Sequence, residues 1–324
     1  MPDQSGKTVI VTGGASGMGW YCAKALAEHG AHVMIASRSL DRTQKAAQMI
    51  MDGKPSGKVE AMHLDLTSFQ SITDFAKAFK AKKLPLHTLV NNAGVFLVPH
   101  DFTQEGFETT VGTNYFGHFL LTHLLLDTIK ETATGSAPTR IVSMASLFEL
   151  LGFVNWGDLE GYNARESGIF EYATSKVEVI MMVRELNKRL KGSNVDVFVA
   201  QPGLVQTELN GRKLDHRKLS AVSVDLAAKL IGQKADRASF CLQRPSSDPS
   251  VTGYGGSYFS PPWLWLAAIN LDHAGMREPG NSLARDEPAM ARLYDKTIEI
   301  VNKKLAEKNL GKIEPASPKA LAKA

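Results

Sequence analysis

Cysteine is nearly missing from these 324 residues: only Cys22 and Cys241 occur. Two thiols cannot make a disulfide framework or a cysteine zinc site, so stability must come from an apolar core, and a reducing compartment is expected. Long hydrophobic runs are missing too. The most apolar late stretch, Pro262 to Leu271, falls well short of the roughly 20 residues a membrane-spanning helix needs. Met1 to Lys7 likewise offer no apolar segment of a signal peptide. The expectation is a soluble, cytoplasmic protein with no transmembrane segment. One-sided charge is also lacking. The net charge is +4, and residues 302–324 carry six lysines against Glu307 and Glu314, which accounts for all of it. A neutral body with a lysine-rich end is no nucleic-acid footprint. Interrupted by Pro315 and Pro318, that end reads as a solubilising, partly disordered tail. Nine histidines occur, none at a ligand spacing such as His-Glu-x-x-His, so no metal is expected.

What the chain does have is alternation. Short β-branched runs at Thr8–Thr12, His32–Ala36, Val59–Leu64, His87–Val90, Arg140–Met144 and Val195–Ala200 read as strands. Helical stretches lie between them at Gly17–Glu28, Leu40–Met51, Ser68–Ala81, Phe116–Lys130 and Tyr172–Leu190, and Arg285–Lys308 reads as a last helix. Several strands are apolar throughout, as parallel strands covered on both faces are. This pattern predicts an α/β fold: a doubly wound parallel sheet of about seven strands with helices on both faces. Residues 1–301 form one domain on this reading, and the segments 147–171 and 203–256, where the alternation lapses, are expected to shape a substrate pocket.

The chemistry-bearing motifs sit at strand ends. After the first strand come Gly13, Ser16, Gly17, Met18 and Gly19, followed by a helix. Glycines let backbone approach a pyrophosphate, and a helix N-terminus presents free N–H groups to it, so this turn is a phosphate cradle. The second strand ends in Ser37-Arg38, with no carboxylate to accept from a ribose 2′-hydroxyl. A guanidinium grips a 2′-phosphate instead, which selects NADP(H) over NAD(H). Of seven tyrosines, only Tyr172 is followed four residues later by a lysine, Lys176. On a helix the two share a face. A nearby ammonium favours phenolate and brings a phenol toward the working range of a proton donor and acceptor. In isolation the same pair would be an ordinary exposed one.

The spacing Gly-x-x-x-Gly-x-Gly, followed by Asn91-Asn92-Ala93-Gly94 after the fourth strand, resembles the short-chain dehydrogenase/reductase family, whose fold is the doubly wound Rossmann fold. The resemblance runs over about residues 6–210 with its motifs in order. It implies that Asp65 and Leu66 contact adenine, that Asn92, Ala93 and Gly94 line the cofactor, and that Ser146 holds the substrate oxygen, with Ser143 as fallback. It implies Tyr172 as acid/base, Lys176 as its tuner and ribose ligand, and Asn114 as support of a proton relay; Asn114 would equally suit a helix N-cap. Pro202, Gly203, Val205 and Thr207 would flank nicotinamide, Thr207 bonding its carboxamide. Ala145 departs from the family's usual second serine. The stretch between Ser146 and Tyr172 is similar to the branch of retinol dehydrogenases, WW-domain oxidoreductase and protochlorophyllide reductase, which handles bulky apolar substrates. The implied activity is hydride transfer between NADP(H) and a small-molecule alcohol, aldehyde or ketone. Pairing through helices 116–130 and 172–190 into a homodimer or homotetramer is also implied. The rival readings are a catalytically silent NADP(H)-sensing or scaffold protein and a non-redox lyase or epimerase using the same tyrosine. The aromatics Tyr258, Phe259, Trp263 and Trp265 suit core packing better than a membrane surface.

Overall fold

In a computed structural model, residues 1–133, 138–163, 168–206, 232–261 and 275–317 are described. The first strand, β1 (Thr8–Thr12), is buried at every position, as its unbroken β-branched run requires. Three helix–strand units follow the same logic: α1 (Gly17–Glu28), β2 (His32–Ser37), α2 (Leu40–Asp52), β3 (Lys58–His63), α3 (Phe69–Ala81) and β4 (Thr88–Asn91). Next come α4 (Thr109–Val111), a π-helical turn over Gly112–Phe116, α5 (Gly117–Thr132), β5 (Thr139–Met144), α6 (Ile169–Arg189) and β6 (Val195–Ala200). A two-residue pair, β7 (Val205–Gln206) with β8 (Gln233–Lys234), precedes α7 (Ala235–Ala238), α8 (Phe240–Ser247), β9 (Tyr258–Ser260), β10 (Gly275–Arg277) and α9 (Glu287–Glu307).

The main sheet runs β10-β9-β6-β5-β4-β1-β2-β3, parallel except for β10, which pairs antiparallel with β9 at the edge. The expected doubly wound sheet is present, with eight strands instead of seven. One face is packed by α3, α5, α6 and α9, through side chains such as Phe79, Phe119, Val183 and Leu293. The other is packed by α1, α2 and α8, through Leu26, Ile50 and Leu242. Strand order reverses between β1 and β4, and at such a switch point the strand ends leave a crevice. Among the described residues, no helix is long and apolar enough to cross a membrane.

Three expectations change. Asn114 does not cap a helix starting at Phe116; helical winding begins at Thr109, and Asn114 sits inside the π-turn. Among the described residues, the segment after residue 301 is packed on the body as far as Ala316. Asn302 belongs to α9, and its side chain holds the backbone of Ile313 by two bonds of 2.9 and 2.8 Å. Ile313 and Ala316 are buried in the core: enough apolar side chains lie among the lysines to dock the segment, which composition alone hides. Finally, most of the described part of 203–256 builds no pocket. Cys241, Leu242 and Val251 are core residues, and the buried Arg140 ties Pro245, Asp248 and Thr252 beneath the sheet. Tyr258 and Phe259 are core residues too, whereas Trp263 and Trp265 lie outside the described residues.

Candidate active site

A cleft of about 580 Å³ opens at the carboxyl ends of β1, β4, β5 and β6. A smaller recess of about 100 Å³, sharing Gly13, Ser37, Arg38 and Gly94 with it, reaches Thr12, Asp65, Leu66 and Thr67. These two spaces bring together, from six strand ends, every candidate residue but Asn114, Thr207 and the fallback Ser143. Asn114 lies just behind the wall, and Thr207 lies outside the described residues.

The glycine turn is shaped by what it must avoid. Gly13 has φ +67°, and a Cβ there would meet the Ala93 Cα at 2.9 Å; one at Gly14 would meet Ile35 at 2.6 Å. The Ser16 side chain, at the start of α1, accepts no bond from the helix and so leaves the amide groups of the first turn free. Asn92 closes the floor: its side-chain amide donates to the Thr12 carbonyl at 2.9 Å, and its backbone N–H to the Thr12 hydroxyl at 2.9 Å. A concave turn that a single methyl group would fill, backed by unpaired helix amides, fits a dinucleotide phosphate. At the far end stand Ser37, Arg38, Ser39 and Arg42. Both arginines are exposed, and among the described residues neither guanidinium has a hydrogen bond or ion pair. Arg42 is the residue that the sequence reading missed. Its signal is there, since it lies in the first turn of α2, just beyond the end of β2.

The opposite end is apolar and nearly closed. Tyr172, on the first turns of α6, is ringed by Phe96 at 4.4 Å and Phe148 at 5.9 Å between ring centroids. Burial pushes the Tyr172 hydroxyl up to about 12, while the neighbouring Ser146 hydroxyl pulls it down. Lys176, one turn on, is buried; its ammonium donates to the Met144 carbonyl at 3.0 Å and sits 5.4 Å from the Tyr172 ring centroid. Burial brings Lys176 down to about 8. Burial, not the lysine, is therefore what moves Tyr172 here, because desolvation disfavours the phenolate. Ser146 faces the cleft, whereas Ser143 is buried beside Asn91. Asn114 is fixed on every polar atom of its side chain. Its Oδ1 accepts from the Val95 N–H at 2.8 Å, and its Nδ2 donates to the Val95 carbonyl at 3.0 Å and the Ser175 hydroxyl at 3.1 Å. Phenol, hydroxyl and ammonium thus converge at one end of a cleft whose other end is built for phosphate, an arrangement suited to proton transfer beside a bound dinucleotide. No group of three or more metal-ligating side chains forms among the described residues.

The sequence profile of the short chain dehydrogenases matches residues 7–218. Retinol dehydrogenase 11 of Homo sapiens is 43% identical over 204 residues, 63% of this chain and 63% of its own length. The chain thus aligns with less than two thirds of that relative. Polyprenol dehydrogenase of Danio rerio is 33% identical over 306 residues, 94% of this chain and 89% of its own. The solved structure of a protein from Mycobacterium paratuberculosis matches with a TM-score of 0.69 at 28% identity, covering 93% of this chain and 95% of that one. Because the matched span holds both the glycine cradle and the Tyr172–Lys176 pair, the chain belongs to the short-chain dehydrogenase family, in its retinol dehydrogenase-like branch.

Proposed function

We propose that this protein is an NADP(H)-dependent oxidoreductase that moves a hydride between nicotinamide and the carbonyl or alcohol carbon of a fairly apolar small molecule. The observation that carries the reading is one continuous cleft with Arg38 and Arg42 at one end and Tyr172, Ser146 and Lys176 at the other. The glycine turn would hold the pyrophosphate, Arg38, Arg42 and Ser37 the 2′-phosphate, and Asp65 and Leu66 the adenine. Pro202, Gly203 and Val205 would flank the nicotinamide ring, with Thr207 assigned the carboxamide. When bound, the cofactor supplies or accepts the hydride.

The chain's own residues do the rest. A phenol held near 12 keeps its proton at neutral pH, so Tyr172 donates to a carbonyl oxygen during reduction. Ser146 binds that oxygen from the other side and fixes its distance to the phenol. Lys176, cationic below about pH 8, stabilises the phenolate left behind. Asn114, fixed behind the cleft, would support proton return from solvent. Phe96, Val98, Leu147, Phe148 and Leu204 line the same space, which favours an apolar substrate and excludes water around the reacting carbon. Two free buried cysteines support a reducing, cytoplasmic setting.

The test is a titration of NADPH and NADH followed by a carbonyl and alcohol screen. NADPH should bind more tightly, and R38A should weaken it by roughly 10- to 100-fold, the worth of charge-assisted bonds, with NADH little changed. Equal affinities would overturn the NADP assignment. Binding with no turnover of any carbonyl would return the protein to cofactor sensing.

A further inference from the structure

A buried histidine behind the cleft bonds to both the Thr12 side chain and the Asn114 backbone. His118, on the first turn of α5, is 3% exposed. Its Nδ1 lies 3.1 Å from the Asn114 carbonyl, and its Nε2 lies 3.0 Å from the Thr12 hydroxyl. A carbonyl only accepts, so Nδ1 carries the hydrogen. Burial, with the Lys176 ammonium adding to it, drives the imidazole down to about 4, so Nε2 is a bare lone pair at neutral pH. The Thr12 hydroxyl therefore donates to it. That leaves the two lone pairs of Thr12 Oγ1 for the backbone N–H groups of Asn92 at 2.9 Å and Ala93 at 3.0 Å. Donors and acceptors match along the whole chain of bonds.

We propose that His118 is a positioning residue: through this directed chain it holds the Thr12–Asn92–Ala93 floor of the dinucleotide cradle in register with the Asn114 backbone beside Lys176. The inference rests on the dinucleotide-dependent reading above. A benzyl side chain would fill the same space. It would also leave the Asn114 carbonyl without its partner and turn the Thr12 hydroxyl toward the Val90 carbonyl, 3.3 Å away. The lone pairs offered to the Asn92 and Ala93 N–H groups then point away, leaving that turn the Asn92 side-chain bond to the Thr12 carbonyl, although the core stays full.

Two measurements decide it. In the unaltered chain, nitrogen-15 NMR of the imidazole should show the Nδ1–H tautomer with Nε2 unprotonated, unchanged from pH 5.5 to 8. The reverse tautomer, or a midpoint near 6.5, overturns the proposal, and this reading needs no variant to fold. Next, H118F should weaken NADPH binding by about tenfold, the equivalent of one lost bond, and lower kcat at least as much. H118Q, which offers one donor and one acceptor, should recover most of both. A folded H118F with unaltered affinity and kcat means simple core packing and sinks the inference alone; an unaltered chain that binds neither dinucleotide takes the proposed function down with it.

Discussion

A phenol and an ammonium that burial pushes in opposite directions give the site its pH behaviour. Tyr172 is driven up to about 12 and Lys176 down to about 8, so between them the pair holds its full complement of protons at neutral pH. Carbonyl reduction should then be level from about pH 6 to 7 and fall as pH rises through about 8, when Lys176 loses its charge and no longer stabilises the developing phenolate. K176R should move that alkaline limb upward, because a guanidinium stays charged; a limb that stays in place assigns the titration elsewhere. Y172F removes the proton donor while keeping the ring that packs on Phe96. Turnover should drop by roughly 10²- to 10⁴-fold, the usual worth of a general acid, with NADPH affinity held within a few-fold. Stopped-flow hydride transfer and a nicotinamide fluorescence titration read the two quantities separately.

At the scale of elements, two irregular segments place the reacting groups. The π-turn over Gly112–Phe116 swings Asn114 out of the helical register, so that its side chain reaches back to Val95 and across to Ser175. On the substrate side, a 3₁₀ turn over Leu147–Leu151 carries Phe148 against Tyr172. Glu149 pins this turn from behind. Its carboxylate accepts from the backbone N–H groups of Gly280 at 2.9 Å and Asn281 at 3.1 Å, while the Asn281 amide donates to the Glu149 and Gly152 carbonyls, both at 2.8 Å. E149A would leave two N–H groups without their acceptor, at a cost of roughly 2–4 kcal/mol. It should also raise KM more than it lowers kcat, since Phe148 loses its seat while Tyr172 and Lys176 keep theirs. Urea melts and steady-state kinetics check the two parts; an unchanged KM would mean that the clamp only stabilises.

Across the whole molecule, the last helix and the segment after it act as a cover. Tyr294 of α9 packs at a tilt against Phe119, donates to His123 at 2.7 Å and accepts from the Ala316 N–H at 3.0 Å, while Tyr115 meets Thr297 at 2.8 Å. Part of the α5 surface is thus covered by the chain's own α9 and residues 313–316. Sedimentation should show no dimer through that covered surface. Deleting residues 309–324 should cost roughly 3–6 kcal/mol, from burial of Ile313 and the bonds lost with it, read as a lower urea midpoint. The same cover makes the fold acid-sensitive. Burial holds His123 at about 4 against 6.5 unfolded, so its neutral form costs nothing above pH 6.5. As pH falls toward 4, the unfolded chain takes up a proton that the folded one refuses, and stability is lost. Buried Glu178 works in the opposite sense, its raised pKa favouring the fold at low pH. The gap in stability between the unaltered chain and H123F isolates the histidine. It should shift by on the order of 3 kcal/mol in favour of the variant between pH 7 and pH 4.

By itself the sequence determined the parallel sheet, the glycine cradle and the Tyr172–Lys176 pair, because these depend on local rules. Apolar runs mark buried strands, glycine spacing marks a turn that must admit a phosphate, and a four-residue step puts two side chains on one face. The absence of a carboxylate after β2 was legible for the same reason. Only the tertiary structure decided the rest, since each of these features needs partners distant in the chain. Ser146 instead of Ser143 faces the cleft because of how β5 ends beside β6. Arg42 joins Arg38 because α2 turns it back over the strand end. Asn114 is a buried bridge instead of a cap because Val95 and Ser175 lie within reach, and residues 313–316 dock because Tyr294 and Asn302 bind them. Burial, which no residue carries alone, is also what sends the phenol upward when proximity to a lysine suggested the reverse.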